Sequence, residues 1–497
     1  MNVGSGTTIS RRAGLAVYLA GALALGAVVV GGTMAAHATE TLKLKKVVSI
    51  PGSKITSFDI SFVDSVTGFY VLGDRTNKGV DVIDTATNTL QFIAGQGAFR
   101  GVQASNDISG PDGVMIVNRR EIWAGDGDST LKFLSLFNGA VLGAVSTGGK
   151  FRVDEMCFDP VHNIGFVANN ADDPPFITAV SARTHSILGK IVFDGTNGTP
   201  HATNGIEQCA FNPRDGMIYV TVPDIDRPAD NHEPNSVPGG VSRIDPLTRT
   251  VTATFVIPLE FCSGPQGLAI GPLVGSLSGF SNYGEMLTGC NGAVSNAAAN
   301  RPTALIDDGS VSGVFGNPIG LNFQAGNDEI WFNSGDNHYY LARSGNNSFV
   351  NPNPNPIPLG CPATPGAINY GANIYVSADT LGMAFGNSPD NALAGPQVVG
   401  MINALTLEND PDTITGLANC PAGSPGPGRV GITTAANANP HGANHSVAAD
   451  SAHNQVYVPI ASTAVATGMT GICGTAGFGG SDVNGCIAVF SIVGTDP

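Results

Sequence analysis

The chain has 497 residues, 42% of them apolar and 12% charged, with a net charge of −16. That much apolar side chain supports a large packed core and excludes a disordered chain. The negative charge repels a phosphate backbone, which excludes nucleic acid as a natural partner and favours cations.

Arg11 and Arg12 precede an apolar run from Ala13 to Gly32, and Ala36-His37-Ala38 is a small-x-small cleavage site. Residues 1–38 therefore read as an export signal. The alternative is an uncleaved anchor, since roughly 20 apolar residues span a bilayer. Ser10-Arg11-Arg12 is similar to a twin-arginine signal, from which Ala13-Gly14-Leu15 departs. Membrane contact is expected through this segment alone. The product would be periplasmic or extracellular.

From residue 45 to residue 492 one stretch recurs. It is plainest at Gly110-Pro111-Asp112-Gly113-Val114 and returns as Gly264-Pro265-Gln266-Gly267-Leu268 and Asn317-Pro318-Ile319-Gly320-Leu321. Looser copies begin at Phe58-Asp59, Val153-Asp154, Ile206-Glu207 and Asn444-His445. Taking Asp59, Asp112, Asp154, Glu207, Gln266, Ile319 and His445 as equivalent, the spacing is 42–59 residues with one gap of 126. Periods of this size signal an array of supersecondary units.

Each opening is a turn and a short apolar strand. A second strand follows, aromatic and β-branched: Gly68-Phe69-Tyr70-Val71, Glu121-Ile122-Trp123-Ala124, Met217-Ile218-Tyr219-Val220, Glu329-Ile330-Trp331-Phe332 and Gln455-Val456-Tyr457-Val458. The fifth unit has no clear copy. A third strand leads into a turn, as in Val241 to Thr248 and Val399 to Thr406, and a fourth follows, as in Thr252 to Ile257. Gly-Asn-Asp-Glu at 326–329 reads as a strand connection. Repeated four-stranded antiparallel units predict an all-β fold, a seven-bladed β-propeller in one domain. Lys46 to Ile50 is expected to pair with Cys486 to Ile492 and close the ring. Polar or Asn/Pro-rich stretches at 224–238, 344–366 and 407–443 are expected as loop insertions.

The Pro-Asp-Gly-Val and Pro-Gln-Gly-Leu openings, Ile218-Tyr219-Val220-Thr221, Val456-Tyr457-Val458-Pro459 and Ile83-Asp84-Thr85-Ala86-Thr87 carry a resemblance. The chain resembles seven-bladed propellers of the YVTN-repeat type. It is more distantly similar to the SMP-30/gluconolactonase and streptogramin-lyase propellers. The YVTN likeness implies a fold that hosts many functions. The SMP-30 likeness implies a divalent ion that polarises a carbonyl or activates water on a lactone or small ester. Its ligand set includes Asn, whereas the aligned positions here are mostly acidic.

Eight cysteines in an exported chain predict disulfides. Cys262 with Cys290, Cys361 with Cys420 and Cys473 with Cys486 flank loops, and Cys157 and Cys209 fall in neighbouring repeats. Eight cysteines allow 105 connectivities, so these pairings rest on proximity.

In a propeller the opening strands line a central channel. Asp112, Asp154, Glu207, Asp59 and Gln266 would then converge at one mouth, where they are candidate ligands for a divalent cation, Ca, Mg or Zn. A solvated acidic pore is the plainer possibility. Asp74, Asp126, Asp128, Asp172, Asp173, Asp224, Asp226 and Asp336 fall in loops at the same mouth. His441 and His445 stand there as candidate proton carriers, and His201 occupies a similar Pro-His setting. No haem, nucleotide or PQQ signature occurs, and there is no Gly-x-Ser-x-Gly elbow. Two functions stay open. One is a binding module that takes a small molecule or protein at the acidic mouth. The other is a metal-dependent hydrolase of the lactonase type.

Overall fold

The computed structural model describes residues 41–232, 234–259, 262–272, 283–290, 446–462 and 473–493, with shorter stretches between 304 and 409. Among these residues the chain is all-β, with one short 3-10 turn at Asn106–Ile108. Strand β1 is Thr41–Val48. The first sheet is Ser61–Asp64, Phe69–Asp74, Gly79–Asp84 and Thr89–Ala94 (β2–β5). The second is Val114–Val117, Glu121–Asp126, Thr130–Ser135 and Val141–Ser146 (β6–β9). The third is Met156–Asp159, Ile164–Asn169, Phe176–Ser181 and Ile187–Val192 (β10–β13). The fourth is Cys209–Asn212, Met217–Val222, Gly239–Asp245 and Thr250–Ile257 (β14–β17).

The fifth sheet is Pro265–Pro272, Tyr283–Cys290 and Ala304–Asp307 (β18–β20), so the second strand with no clear sequence copy is Tyr283–Cys290. Next come Asn327–Asn333 and His338–Arg343 (β21, β22), a ribbon of Ser348–Phe349 and Ile374–Tyr375 (β23, β24), then Thr380–Phe385, Val398–Asn403 and Glu408–Asn409 (β25–β27). The sixth sheet runs β21-β22-β25-β26-β27. The last joins Ala448–Asp450, Gln455–Ile460 and Cys486–Val493 (β28–β30) to β1, in the order β1-β30-β29-β28. Within every sheet the pairing is antiparallel, and repeated four-stranded antiparallel sheets are consistent with a β-propeller.

Two strand assignments change. Glu329-Ile330-Trp331-Phe332 lies in the first strand of the sixth sheet and not in a second strand. The Val399 stretch follows β25 and is that sheet's fourth strand. The reason is position: β21 lies beside β18 and β28, which are themselves first strands. Ile319 and the opening around it fall outside the described residues. The expected pairing of residues 46–50 with the last strand is found as Lys46↔Val489 to Val48↔Ile487.

The core is divided among the gaps between neighbouring sheets. Val71, Val80 and Val82 pack against Val114, Ile116 and Ile122. Trp123 and Phe133 pack against Met156, Val167 and Val180. The last sheet packs on the first, where Tyr70 and Tyr457 stack with ring centroids 4.8 Å apart. Alternation along a strand sends one set of side chains to each neighbour, which is why these strands read as nearly continuous apolar runs. First strands neighbour one another in the series β2, β6, β10, β14, β18, β21 and β28, and β28 lies beside β2.

Disulfides Cys157–Cys209, Cys262–Cys290 and Cys473–Cys486 are present. Cys361 and Cys420 lie outside the described residues. The bridges fit an oxidising, extracellular environment. Among the described residues no helix is long and apolar enough to cross a membrane.

One buried group opposes the fold. Asp81 in β4 is 0% exposed, and neither of its carboxylate oxygens has a hydrogen-bond partner among the described residues. Burial, and then Asp74, raise its pKa well above the usual carboxylate range. The native state therefore holds a proton that the unfolded chain has released. This contribution is full below the ordinary pKa of about 3.9 and is lost as pH rises through the raised folded value. Asp81→Asn should stabilise the protein by about 1–3 kcal/mol at neutral pH. The gain should fade toward acid, below the ordinary pKa of about 3.9. Urea unfolding at both pH values checks it, and equal neutral-pH stabilities would show that Asp81 carries no such penalty.

Candidate functional site

The residues that open each first strand are held by one repeated backbone device. The amides of Asp59, Asp112, Asp154 and Glu207 donate to the carbonyls of Gly73, Gly125, Ala168 and Thr221, at 2.9, 3.1, 2.8 and 3.0 Å. Each of those four residues returns a bond through its own amide, to Ile60, Gly113, Glu155 and Gln208 respectively. The opening residues thus occupy equivalent places two positions before β2, β6, β10 and β14. Neighbouring sheets come close here. A Cβ on Gly113 would stand 1.7 Å from the Asp154 carbonyl oxygen, so only glycine fits.

In the sixth sheet the equivalent residue is Asp328, five before the end of β21 as Asp59 is five before the end of β2. Ile319, the apolar exception in the sequence alignment, does not supply it among the described residues. Six of the seven places therefore carry Asp59, Asp112, Asp154, Glu207, Gln266 and Asp328.

The counter-charge comes from the chain itself. Arg75, in the turn between β3 and β4, reaches Asp59 and Asp112 together, and its Nε donates to Asp112 Oδ1 at 2.7 Å. Arg152, two residues before Asp154, donates from Nη2 to Asp154 Oδ2 at 2.6 Å and from Nη1 to Asp59 Oδ2 at 3.4 Å. Asn170 Nδ2 donates to the same Asp154 oxygen at 2.6 Å. Burial alone would favour neutral guanidines, but the adjoining carboxylates outweigh it and hold both arginines charged. The sequence places a divalent cation among these acids. The structure brings Asp59, Asp112 and Asp154 together and puts guanidinium groups between them. An arginine fork suits this geometry because it donates to two carboxylates at once. Among the described residues no group of three His, Cys, Asp or Glu side chains is arranged to hold a metal ion.

Two arginines do not neutralise these carboxyl groups. Glu155, Glu207, Asp328 and Glu329 add carboxyls to the three that the arginines bind. Burial, followed by neighbouring carboxylates, raises the pKa of Glu155, Glu207 and Glu329. Burial outweighs Arg152 at Asp154, whose pKa is raised to about 7. Asp112 Oδ2, Asp154 Oδ1 and Gln266 Oε1 are buried without a partner among the described residues.

A polar cavity of about 680 Å³ opens beside this layer. Its wall includes Glu207, Arg152, Asp107, Asp173, His201 and His232, from loops that precede or follow first and second strands. His201 stands 3.5 Å from Asp226, and Arg227 is turned to the Thr203 carbonyl at 2.7 Å. Most of the loop aspartates instead hold their own loops. Asp74 accepts from Asn77, Asp126 pairs with Lys132, and Asp224 accepts from the Asn235 amide at 2.8 Å. His441 and His445 lie outside the described residues.

Sequence reasoning missed Arg75, Arg152, Glu155, Asp328 and Glu329. A signal existed for the arginines. With 23 Lys and Arg in the whole chain, Arg152 two residues before an opening aspartate is a conspicuous counter-ion.

No protein-family model matches the chain, and no curated protein matches it. Among solved structures it is similar to hydrazine synthase of Kuenenia stuttgartiensis, with TM-score 0.48 and 10% identity, covering 82% of this chain and 95% of that one.

Proposed function

We propose that the protein is an exported seven-bladed β-propeller that acts as a binding module for a small cationic ligand at the channel mouth. The cycle of neighbouring first strands supports the blade count and closure, as does the last sheet completed by β1. The observation that carries the ligand reading is the concentration of carboxyl groups at an open cavity. Glu207, Asp107 and Asp173 face about 680 Å³ of space, no side-chain hydrogen bond holds them among the described residues, and Arg152 on the same wall is the one cation that acts on Glu207 there. That volume suits a small molecule. The cation is a divalent ion or an organic ammonium, and Glu207 is its main contact. The hydrolase alternative relies on His441 or His445 to move a proton, and no described residue favours it.

Isothermal titration with calcium, magnesium, zinc and putrescine tests the reading. At least one should bind saturably, and Glu207→Gln should weaken it by about tenfold or more, the effect of losing one charged contact. If none of the four binds the wild type, the reading fails. If binding is unchanged in Glu207→Gln, the mouth is not where the cation sits.

A further inference from the structure

The channel holds a second cavity, of about 340 Å³, one step further along the first strands than the arginine–carboxylate layer. It shares no lining residue with the cavity at the mouth. Its wall is largely apolar, with Phe62, Ile116, Phe158, Phe211, Leu268 and Trp331 among the side chains. Such a wall suits the body of an apolar ligand. Two carboxyls interrupt it. Glu329 accepts a hydrogen bond from Ser446 Oγ at 2.8 Å. Glu155 is 4% exposed, lines the cavity, and has no side-chain hydrogen bond or ion pair among the described residues.

The largest charges acting on Glu155 are negative: Glu329 from β21, Asp154 beside it in sequence, Glu207 ahead of β14, and Asp328. A buried carboxyl without a donor carries an uncompensated desolvation cost. A positively charged donor would relieve that cost and the repulsion together. The aromatic wall favours a cation that brings its own apolar surface, and Trp331 adds an attractive π-face. A divalent ion gains little from such a wall, which offers few of the oxygen ligands it needs.

We propose that this cavity binds a small organic monocation with an apolar body, a primary alkyl- or arylalkyl-ammonium. The ammonium sits at Glu155 and Glu329, and the body lies against the aromatic side chains. The proposal does not depend on what binds at the mouth.

Trp331 supplies the readout. It lines the cavity, whereas Trp123, the other of two tryptophans, is 0% exposed within the second sheet. Phenethylammonium titrated into the full chain at neutral pH should change tryptophan fluorescence saturably, and Trp331→Phe should abolish the change. 2-Phenylethanol and phenylacetate carry the same body with a neutral or negative head. Each should bind about tenfold or more weakly, and phenethylammonium should lose a similar factor in Glu155→Gln. Absence of a saturable change in the wild type overturns the proposal. So does equal binding of the ammonium and the alcohol, which needs no variant and no refolding control. Undiminished binding by a folded Glu155→Gln protein overturns it as well.

Discussion

Arg75→Met should lower the unfolding free energy by about 3–5 kcal/mol, the range for breaking a buried ion pair from one side. Arg75 is 2% exposed and serves two carboxylates at once, Asp59 and Asp112, which are 5% and 0% exposed. Methionine fills most of the arginine stem's volume, so the loss reports charge more than packing. Adding Asp112→Asn should restore part of the stability, with a coupling of about 0.5–3 kcal/mol between the two sites. Urea unfolding of the four proteins in the cycle measures it. A loss under about 1 kcal/mol, the scale of an exposed pair, would mean that solvent or an ion already shares the guanidinium's task. The same variant also bears on cation binding. With Arg75 gone, Asp59 and Asp112 resemble the open acidic ring expected from sequence. Calcium should then raise the melting temperature of Arg75→Met more than that of the wild type.

Cys157→Ser with Cys209→Ser should cost about 2–4 kcal/mol. Of the three bridges described, this one closes the longest loop, with a separation of 52 residues against 28 and 13. On the chain-entropy account, a longer loop means a larger restriction of the unfolded chain. The bridge also ties β10 to β14, the first strands of neighbouring sheets, and both its residues line the cavity of about 340 Å³. Cys473→Ser with Cys486→Ser should cost less. Denaturation of the two double variants side by side decides the order, and an equal or inverted ranking would show that native-state packing dominates.

The parts of the fold legible in sequence are those where local chemistry repeats. The Tyr70, Trp123, Tyr219 and Tyr457 strands advertise their burial by composition. The openings at Asp59, Asp112, Asp154 and Glu207 stand 9 or 10 residues before the second strand of their own sheet, and the structure gives all four the same backbone bonds. The sixth unit failed because two cues conflicted. Asn317-Pro318-Ile319-Gly320 matches the opening in residue type, while Asp328 and Glu329 sit in a polar stretch that reads as a turn. What decides between them is which strand lies beside β18 and β28, a long-range contact that no local pattern encodes. The site was half legible for a similar reason. Aligned carboxylates show where charge converges, but not what neutralises it. Arg75 arrives from the turn after a second strand and Arg152 from a loop before a first strand, so the two arginines share no aligned position. Gln208 was equally hidden. Its side chain crosses to the sixth sheet, where Oε1 accepts from the Ile330 amide at 3.0 Å and Nε2 donates to the Ile330 carbonyl at 3.1 Å.

The pairing of β1 with β30 imposes an order in time. Sheets built from consecutive strands can form as the chain emerges from the ribosome. The last sheet cannot, because β1 emerges early and its partner arrives at the far end of the chain. Until then β1 is an unpaired edge, and such an edge invites pairing with another copy of itself. Its sequence, Thr41-Leu42-Lys43-Leu44-Lys45-Lys46-Val47-Val48, carries three lysines in eight residues in a chain otherwise poor in charge. Like charges on two waiting copies repel, while the proper partner, Cys486–Val493, carries no charge of its own to oppose them. Charge of one sign on an edge strand disfavours pairing with a second copy, so the lysines of β1 oppose self-association of a strand whose partner lies far along the chain.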